Sequence, residues 1–430
     1  MIVQPSPQRV VYKAAHKLRA AWLAARRAGW LRVWRRIERR LRLGLIDPRL
    51  AKLFYAPPAL SVVTIPTIGE RQREALLILA ATRGASHPAP NWDRARRSLS
   101  LMNQAAFDLM PPVNWNARPM ADPLWSFKLH SWEWAWPALS LPDSRPPLLE
   151  LWRDWLAQVP VGRGLPWEPH PTSQRLVVWS VAWHLLRGDA SLIASIAQQA
   201  AFLADHLERD LDNNHLVANA KALAWVGLLF PTLPQATRWR KLGLELFWQT
   251  LDDQVLADGG HNERSTGYHM AVWLDALELA MLCLASSVPV PVTAWETLRR
   301  MQVFALAMCR PDGRLPLLSD SVEDEPLPAH AIFALADRLR DDDDRRLDVD
   351  GSCEMCPPRD SRALHESGYV VLRSGPDRAG TYLVFDAGDL GLSHFPGHGH
   401  ADALSFELWG RGEALIVDPG TYQYPAGRWR

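Results

Sequence analysis

From about residue 70 to residue 340, apolar side chains recur every three to four positions, which is the spacing of one face of a helix. Clusters of proline, glycine, asparagine and aspartate separate these segments. The helices are of similar length and their loops alternate between short and long, so we expect helical hairpins stacked around an axis, although no residue-level repeat marks a standard solenoid. The predicted helices are Arg71–Gly84, Ser98–Leu109, Pro147–Gln158, Ser173–Leu186, Ala190–Leu207, His215–Phe230, Gln235–Leu256, Tyr268–Ser286 and Ala294–Cys309.

The periodicity changes after residue 340. Residues 341–362 are highly charged, contain prolines and lack an apolar period, so they are predicted to form a linker. Alternating β-branched and aromatic residues then predict strands at Gly368–Ser374, Thr381–Ala387, Ala403–Trp409 and Glu413–Asp418. The last two strands are separated only by Gly410-Arg411-Gly412, and a three-residue connection with glycine is typical of a tight hairpin.

The expected fold class is therefore α+β, with a helical domain at residues 61–340 and an antiparallel sheet at residues 363–430. Four predicted strands would leave an open edge and too few residues to cover one face of the sheet. We therefore expect the sequence to be part of a longer protein.

Residues 1–60 are predicted to form a basic amphipathic arm. Residues 1–45 contain twelve Lys or Arg and one acid, Glu38, so they carry +11, whereas the whole chain carries only +1. Tryptophans among these arginines indicate a helix with one apolar face. We expect this helix to pack on an acidic surface of the same protein, with peripheral contact to an anionic membrane as the alternative. A nucleic-acid partner is not expected.

The composition is that of a globular protein, with 48% hydrophobic and 22% charged residues. No apolar run is long enough for a membrane span, and no signal peptide is visible. Most of the 21 tryptophans are expected in the core. Cys283 and Cys309 fall on apolar helical segments, whereas Cys353 and Cys356 form a lone CxxC that is expected in an exposed loop.

Two histidines precede the predicted hairpin. His398 and His400 are two residues apart, and such residues face the same side of an extended segment. Asp418 ends the return strand, and two imidazoles with a carboxylate are ligands that zinc accepts. The alternative is a polar turn whose histidines only face solvent.

Three further polar clusters lie immediately before predicted helices. In Asn213-Asn214-His215, one asparagine is expected to cap a helix, which leaves the other amide and His215 free. The segment Asp258–His269 contains Tyr268 next to the start of another helix. The segment Pro166–Arg175 offers a tryptophan for stacking and an arginine for a carboxylate or sulfate. Each cluster taken alone is more simply explained by capping and packing.

An amide, a tyrosine and a histidine together suit an elimination next to a uronate carboxylate. Removal of the C5 proton builds negative charge on that carboxylate, and an asparagine amide can stabilise the charge by hydrogen bonding. A tyrosine or histidine would remove the proton, and a second such group would protonate the leaving oxygen. Because a tyrosine ordinarily titrates near ~10, a tyrosinate base needs positive charge nearby, from Arg264 or a histidine. A glycosidase would instead need two carboxylates that flank the bond, and no equally well-placed pair stands out.

Five segments follow one another in a specific order: PLWSFKLHSWEWA, PWEPHPTSQRLVVW, NNHLVANAKALAWVGLLFP, DGGHNERSTGYH and PGHGHADALSFELWGRGEALIVDPGTY. From about Asn114 onward they resemble the blocks of the heparinase II/III-like polysaccharide lyases. The resemblance implies an incomplete α/α toroid followed by an antiparallel β-sandwich, of which this chain would contain the first strands, with the active site between them. It also implies β-elimination on an acidic, uronate-containing polysaccharide such as a glycosaminoglycan or alginate, and a location in the cell envelope or periplasm.

The resemblance also implies roles for individual residues. Asn214 resembles the asparagine that neutralises the uronate carboxylate, and His215 its neighbouring catalytic histidine. Tyr268 resembles the tyrosine acid/base, and His398 the histidine from the sheet. Substrate-binding roles are expected for Trp167, Glu168, His170, Arg175, Asn213, Glu263 and Arg264.

A structural Zn²⁺ is a further expectation from the resemblance. His400 and Asp418 resemble two of its ligands in parts of the family, whereas the third ligand, a histidine further into the sheet domain, has no counterpart in this sequence.

Two other functions stay open at this point. One is a hydrolase built on the same helical domain, and the other is a non-catalytic polysaccharide-binding protein of an exopolysaccharide or capsule system. A lyase would leave unsaturated, ultraviolet-absorbing chain ends, whereas a hydrolase would release reducing sugar without them.

Overall fold

A computed structural model describes Tyr55 and residues 66–85, 92–102, 104–118, 123–139, 141, 145–323, 325–342, 358–375, 378–392, 397–400 and 402–421. Apart from Tyr55, the predicted basic arm lies outside the described residues. The same holds for Cys353, Cys356 and most of the predicted linker.

Helices make up most of the described chain up to residue 342. Eight of the nine predicted helices are confirmed, with ends that differ by a few residues, and α2, α3 and α11 are additional. Single 3₁₀ turns at Glu133–Ala135 and Leu165–Trp167 lie just before α3 and α5. In chain order the helices are α1 (Glu70–Ala85), α2 (Pro123–Ser131), α3 (Trp136–Leu139), α4 (Arg145–Gln158), α5 (Pro169–Leu186), α6 (Ala190–Asp205), α7 (Asn214–Leu229), α8 (Ala236–Gln254), α9 (Thr266–Ala285), α10 (Val292–Met308) and α11 (Ala329–Asp342).

The predicted helix at Ser98–Leu109 is wrong. This segment contributes to a small antiparallel sheet of β1 (Trp92–Asp93), β2 (Ser98–Leu99) and β3 (Phe107–Asp108). The start of the segment, Ser-Leu-Ser-Leu, alternates with a period of two, and the structure buries both leucines. Met102 then adopts a left-handed conformation with φ of 53°, which ends the extended run.

A second sheet follows the helices. Its strands are antiparallel neighbours in chain order, from β4 to β8. The four predicted strands are confirmed, and β4 is additional because its first residue had been assigned to the linker. Helices followed by a separate antiparallel sheet confirm the α+β class. The strands are β4 (Arg362–Leu364), β5 (Tyr369–Arg373), β6 (Tyr382–Asp386), β7 (Phe406–Gly410) and β8 (Glu413–Ile416).

One face of the second sheet packs on α10. Alternate side chains of β5, β6 and β7 are buried together with Phe304 and Met308 of the helix. Tyr382 Oη donates a hydrogen bond to Met308 O (2.8 Å), and Arg373 donates to Ala307 O (2.8 Å) and to Cys309 O. A cation is favoured at the C-terminal end of a helix, so Arg373 fixes the sheet to α10 by charge as well as by hydrogen bonds.

The α7 helix is the buried centre of the helical part. It packs against α5, α6, α8 and α9, and every residue from Leu216 to Leu229 is buried. Glycines permit its close approach to α8, since a Cβ on Gly243 would lie 2.3 Å from Ala224 N and one on Gly227 would lie 2.5 Å from Arg240 N. The two helices therefore touch backbone to backbone, which fixes the position of α7.

A buried cluster of charges joins α7 to α1 and α9. Lys221 Nζ lies 2.7 Å from Asp275 Oδ1 and also contacts Glu278. Arg83 donates two hydrogen bonds to the Glu278 carboxylate, at 2.5 and 2.8 Å. Burial alone would raise the pKa of Glu278, but the two cations outweigh it and lower that pKa to about 2. The charges compensate one another, so breaking the cluster costs more than it would at the surface.

The α9 helix is long and apolar enough to cross a membrane, but 78% of its most apolar window is buried inside the protein. It packs against α7, α10 and α1, as the core helix of a globular fold does.

A Gly243→Ala substitution is expected to lower the free energy of unfolding by about 1–3 kcal/mol, because the added methyl group meets the backbone of α7. Alanine would otherwise favour the helix by about 1 kcal/mol. Urea unfolding of wild type and variant measures the difference. Gly375→Ala is the control, since a Cβ there meets nothing within 4 Å. A gain in stability for Gly243→Ala would contradict the close contact.

Stability is expected to fall as the pH drops below about 6.5. Burial is the main cause that lowers the pKa of His130, His170 and His269 to about 3 and that of His184 to about 4. These histidines are protonated in the unfolded chain below about 6.5 but stay neutral in the folded one, so each contributes a loss of about 1.4 kcal/mol per pH unit. Urea unfolding between pH 6.5 and pH 5 should show this slope, reduced in His184→Asn and not in the exposed His330→Asn.

Candidate active site

The N-terminus of α7 carries the first predicted site residues. Asn213 is buried and caps the helix, because its side-chain oxygen accepts a hydrogen bond from His215 N (3.1 Å). Asn214 is the first helical residue, and its backbone N donates to Glu263 Oε1 at 2.8 Å. Within the described part of the chain, Asn214 Oδ1 is buried without a hydrogen-bond partner. Asn213 is therefore used by the fold, whereas Asn214 keeps an unpaired acceptor oxygen, and a carboxylate ligand would have to be bound by the Nδ2 of the same amide, which donates.

His215 belongs to a hydrogen-bonded group. Its Nδ1 lies 3.1 Å from Glu208 Oε1, and the buried Glu208 also accepts from Asn219 Nδ2 at 3.1 Å. The ring stacks on His170, with centroids 4.1 Å apart. Burial first, and then the charge of His215, lowers the pKa of His170, so that ring is neutral. An imidazole whose Nδ1 is held by a carboxylate can present Nε2 for proton transfer.

Tyr268 lies in the first turn of α9. Ser265 caps this helix, since its Oγ accepts a hydrogen bond from Tyr268 N at 3.4 Å. The tyrosine is partly exposed, and its ring lies against that of His398 with centroids 3.9 Å apart. The helical part and the sheet part of the chain therefore meet at these two rings.

His398 is held between two carboxylates. Its Nε2 lies 2.9 Å from Glu263 Oε2 and its Nδ1 lies 3.0 Å from Asp320 Oδ2. Both carboxylates come from the helical part, and their side chains are 2% and 0% exposed. Burial would lower the pKa of His398, but these two partners outweigh it and raise the pKa to about 9. The ring is an imidazolium at neutral pH and places positive charge beside Tyr268.

Glu263 links the parts of the site to one another. Its Oε1 accepts from Asn214 N and its Oε2 faces His398, whose ring contacts Tyr268. The structure thus brings Asn214, Tyr268 and His398 together, with His215 adjacent in sequence to Asn214. Two carboxylates of the site, Glu208 and Asp320, were missed by the sequence reasoning. Neither belongs to a recognisable motif, and only the folded chain brings them to their histidines.

Two substrate-binding assignments need correction. Trp167 and Arg175 are 1% and 0% exposed, so neither side chain reaches a sugar. Arg175 donates to His130 O (2.6 Å) and to Gln199 Oε1 (2.7 Å), and its guanidinium lies 4.4 Å from the Trp155 ring centroid. The reason is that α5 begins at Pro169, earlier than predicted, so Arg175 falls on an inward-facing turn of that helix.

The remaining predicted residues lie near the junction. Glu168 is partly buried and directly precedes α5. Arg264 donates to Ser367 O at 2.9 Å and lies 3.3 Å from Asp389 Oδ2. Arg264 therefore ties the loop before α9 to the second sheet, and the positive charge beside Tyr268 comes from His398 instead.

The residues present do not fit the expected zinc site. His400 Nε2 lies 2.7 Å from Asp320 Oδ1, and Asp418 Oδ1 accepts a hydrogen bond from Gly420 N at 2.8 Å. Among the described residues, no group of three or more His, Cys, Asp or Glu side chains is arranged to hold a metal ion. His400 instead shares Asp320 with His398, which orders the loop that carries both histidines.

Comparison with known proteins assigns the class. Residues 147–333 match the family model for the heparinase II/III N-terminus, and residues 356–430 match the one for the heparinase II/III-like C-terminal region. The chain belongs to the heparinase II/III-like family, as the sequence resemblance predicted.

The relatives include heparin-sulfate lyases from two organisms. That of Pedobacter heparinus is 26% identical over 348 residues, which cover 74% of this chain and 51% of the relative. That of Bacteroides stercoris is 28% identical over 216 residues, which cover 49% of this chain and 32% of the relative. The chain thus spans about half of the length of the first relative and about a third of the second.

Solved structures agree with this class at the level of the fold. A crystal structure of heparinase III aligns with a TM-score of 0.63 at 20% identity and covers 88% of this chain and 63% of that one. The heparan sulfate lyase HepC from Pedobacter heparinus aligns with a TM-score of 0.54 at 22% identity and covers 97% and 64%.

Asp320→Ala is expected to lower the free energy of unfolding by about 3–5 kcal/mol, because it removes the buried carboxylate that both His398 and His400 contact and leaves His398 with Glu263 alone. Amide hydrogen exchange should speed up at residues 397–400 and stay slow in α7. The exposed Asp389→Ala serves as the control, since its carboxylate is 85% exposed. Unchanged exchange at residues 397–400 in Asp320→Ala would show that Asp320 does not hold this loop.

Proposed function

We propose that the protein is a polysaccharide lyase that cleaves an acidic, uronate-containing glycosaminoglycan by β-elimination. The contact between Tyr268 and the His398 imidazolium carries this proposal, because it joins a proton-transfer group and a fixed positive charge in one partly exposed site. Family membership and the relatives named heparin-sulfate lyases support the choice of substrate class.

The architecture that suits this activity is an incomplete α/α toroid joined to the first strands of a β-sandwich. Successive long helices that pack as neighbours around α7 support the first part, and one buried and one more exposed sheet face support the second. The substrate would lie where α7, α9 and the loop at residues 397–400 meet.

The uronate carboxylate would bind first. The Asn214 amide would hydrogen-bond to it, and the imidazolium of His398 would lie close enough to offset its charge. Both groups are held before the substrate arrives, Asn214 by the helix N-terminus and His398 by Glu263 and Asp320. Such preorganised donors stabilise charge as it develops on the carboxylate in the transition state.

The elimination then needs two proton transfers. Tyr268, as the phenolate, would take the C5 proton, and the contact of its ring with His398 holds it at the site. The electrons of the broken C5–H bond form a C4–C5 double bond while the bond from C4 to the glycosidic oxygen breaks. A proton passes to the leaving oxygen from the tyrosine or from His215, which Glu208 orients. No water is consumed.

Hydrolysis is a poorer fit to the same site. A glycosidase needs two carboxyl groups free to flank the bond, as acid and as base or nucleophile. Glu263 and Asp320 are the carboxylates nearest to His398, and both are engaged with its ring.

Tyr268→Phe is expected to lower kcat by about 10²–10⁴-fold, the usual contribution of a positioned acid–base group. The assay follows the ultraviolet absorbance of the new double bond, with heparan sulfate as one substrate and an unsulfated polyuronate as another. Tyr382→Phe is a matched control, because it removes a buried hydroxyl that bonds only Met308 O among the described residues.

The outcomes separate the three functions. Absorbance that is lost in Tyr268→Phe and kept in Tyr382→Phe supports the lyase. Reducing ends without absorbance would indicate a hydrolase, and saturable binding without cleavage would indicate a binding protein.

A further inference from the structure

A cavity lined by three arginines lies beside the start of the loop that carries Glu263. It has a volume of about 490 Å³ and lies between this loop, the middle of α10 and strand β4. Its polar lining consists of Asp258, Arg299, Arg300 and Arg362, and Val303 and Leu364 contribute apolar surface. The volume is within the range of small-ligand sites, about 300–1,000 Å³.

The single carboxylate of this cavity is occupied by the fold. Asp258 Oδ2 accepts hydrogen bonds from Ser367 N (2.7 Å) and Ser367 Oγ (2.6 Å), and its Oδ1 accepts from Gly260 N (3.1 Å). Asp258 thereby connects the loop to the second sheet. It does not ion-pair with Arg299, Arg300 or Arg362, and of these three only Arg300 is paired with another described carboxylate, that of Asp252.

Arg300 is partly anchored at the wall. It donates to Thr297 Oγ1 at 2.9 Å and to Leu256 O at 3.4 Å, and it lies 3.7 Å from the largely exposed Asp252 carboxylate. Gly259 fixes this wall, because its φ is +91° and a Cβ there would lie 2.0 Å from Arg300 O. The loop is therefore packed tightly on α10 at the edge of the cavity.

Arg299 and Arg362 are exposed, and in the part of the chain that the structure describes neither side chain forms a hydrogen bond or an ion pair. Arg373 lies near Arg362, and its pKa is lowered chiefly by burial and further by the charge of Arg362, so the positive charge of Arg362 acts on its surroundings. Two guanidinium groups from different elements thus line one cavity, and neither is ion-paired with Asp258, the carboxylate in the lining. Guanidinium groups bind carboxylate and sulfate in bidentate fashion, so the chemistry of the cavity favours an oxyanion.

We propose that this cavity binds an anionic sugar unit of the polysaccharide outside the cleavage site. The carboxylate or sulfate of that unit would lie between Arg299 and Arg362, and the apolar side chains of Val303 and Leu364 would contact the sugar ring. This inference rests on the proposed acidic polysaccharide substrate. Its function would be to retain long chains, so it lowers KM for a polymer and leaves kcat unchanged.

The first test measures affinity for heparan sulfate in the Tyr268→Phe background, where the chain is not cut. Adding Arg299→Gln and Arg362→Gln should weaken Kd at least tenfold. The matched control adds Arg238→Gln and Lys241→Gln instead, which removes the same charge from the exposed side of the first turns of α8. This control pair should change Kd less than twofold. Equal losses in the two pairs would mean non-specific surface charge only and would overturn the proposal, as would an unchanged Kd for the Arg299/Arg362 pair.

The second test needs no substitution and so does not depend on how a variant folds. An arginine-modifying reagent is applied to the wild-type protein with either heparan sulfate or an unsulfated polyuronate, and modification is mapped by mass spectrometry. Protection of Arg299 and Arg362 but not Arg238 supports the cavity, and the two polymers distinguish sulfate from carboxylate as the bound group. Equal modification with and without either polymer would overturn it.

Kinetics separate this inference from the proposed function. In the otherwise wild-type enzyme, the Arg299/Arg362 pair should raise KM for long chains about tenfold without changing kcat. If cleavage depends on Tyr268 but KM is the same in the Arg299/Arg362 variant and the wild type, the cavity proposal is wrong and the lyase proposal stands. If chain binding depends on Arg299 and Arg362 but no cleavage is seen, the lyase proposal is wrong and the cavity proposal stands.

Discussion

One imidazole held between two buried carboxylates determines the geometry of the site. His398 comes from the loop before β7, whereas Glu263 and Asp320 come from the helical part, so this ion pair fixes one part of the chain to the other. Two anions around one cation also leave His398 charged at neutral pH, with its ring against Tyr268. The same two carboxylates therefore fix the position of His398 and keep its ring charged.

The rest of the site is built from helix N-termini that meet this ion pair. Asn213 caps α7 and Ser265 caps α9, which places Asn214 and Tyr268 in the first turn of their helices. Glu263 then bridges the backbone of Asn214 and the ring of His398. The caps are local and the bridge is tertiary, and each is needed for the amide and the tyrosine to face the same gap.

The local part of this arrangement could be predicted from the sequence, and the tertiary part could not. Helical periodicity located α7 and α9, and the Asn-Asn-His and Ser-Thr-Gly-Tyr segments fell at their starts, as capping chemistry requires. Glu208 and Asp320 gave no signal, because a carboxylate is recognised as a histidine partner only once the fold brings the two together. The prediction that Arg175 binds substrate failed because its polar neighbours in sequence indicated an exposed segment. In the structure its side chain is buried, with the guanidinium against the ring of Trp155.

The glycine contact between α7 and α8 has a consequence for how the site can vary. A helix that touches its neighbour backbone to backbone cannot slide along it, since any shift of Asn214 would have to displace α8 as well. The loop that carries His398 is fixed in a similar way on the other side of the site, because His398 O accepts a hydrogen bond from Asp320 N at 3.0 Å and a Cβ on Gly399 would lie 2.3 Å from Leu390 O. Main-chain contacts therefore hold both walls, so a change in the width of the site requires a shift of the backbone and not only the exchange of a side chain.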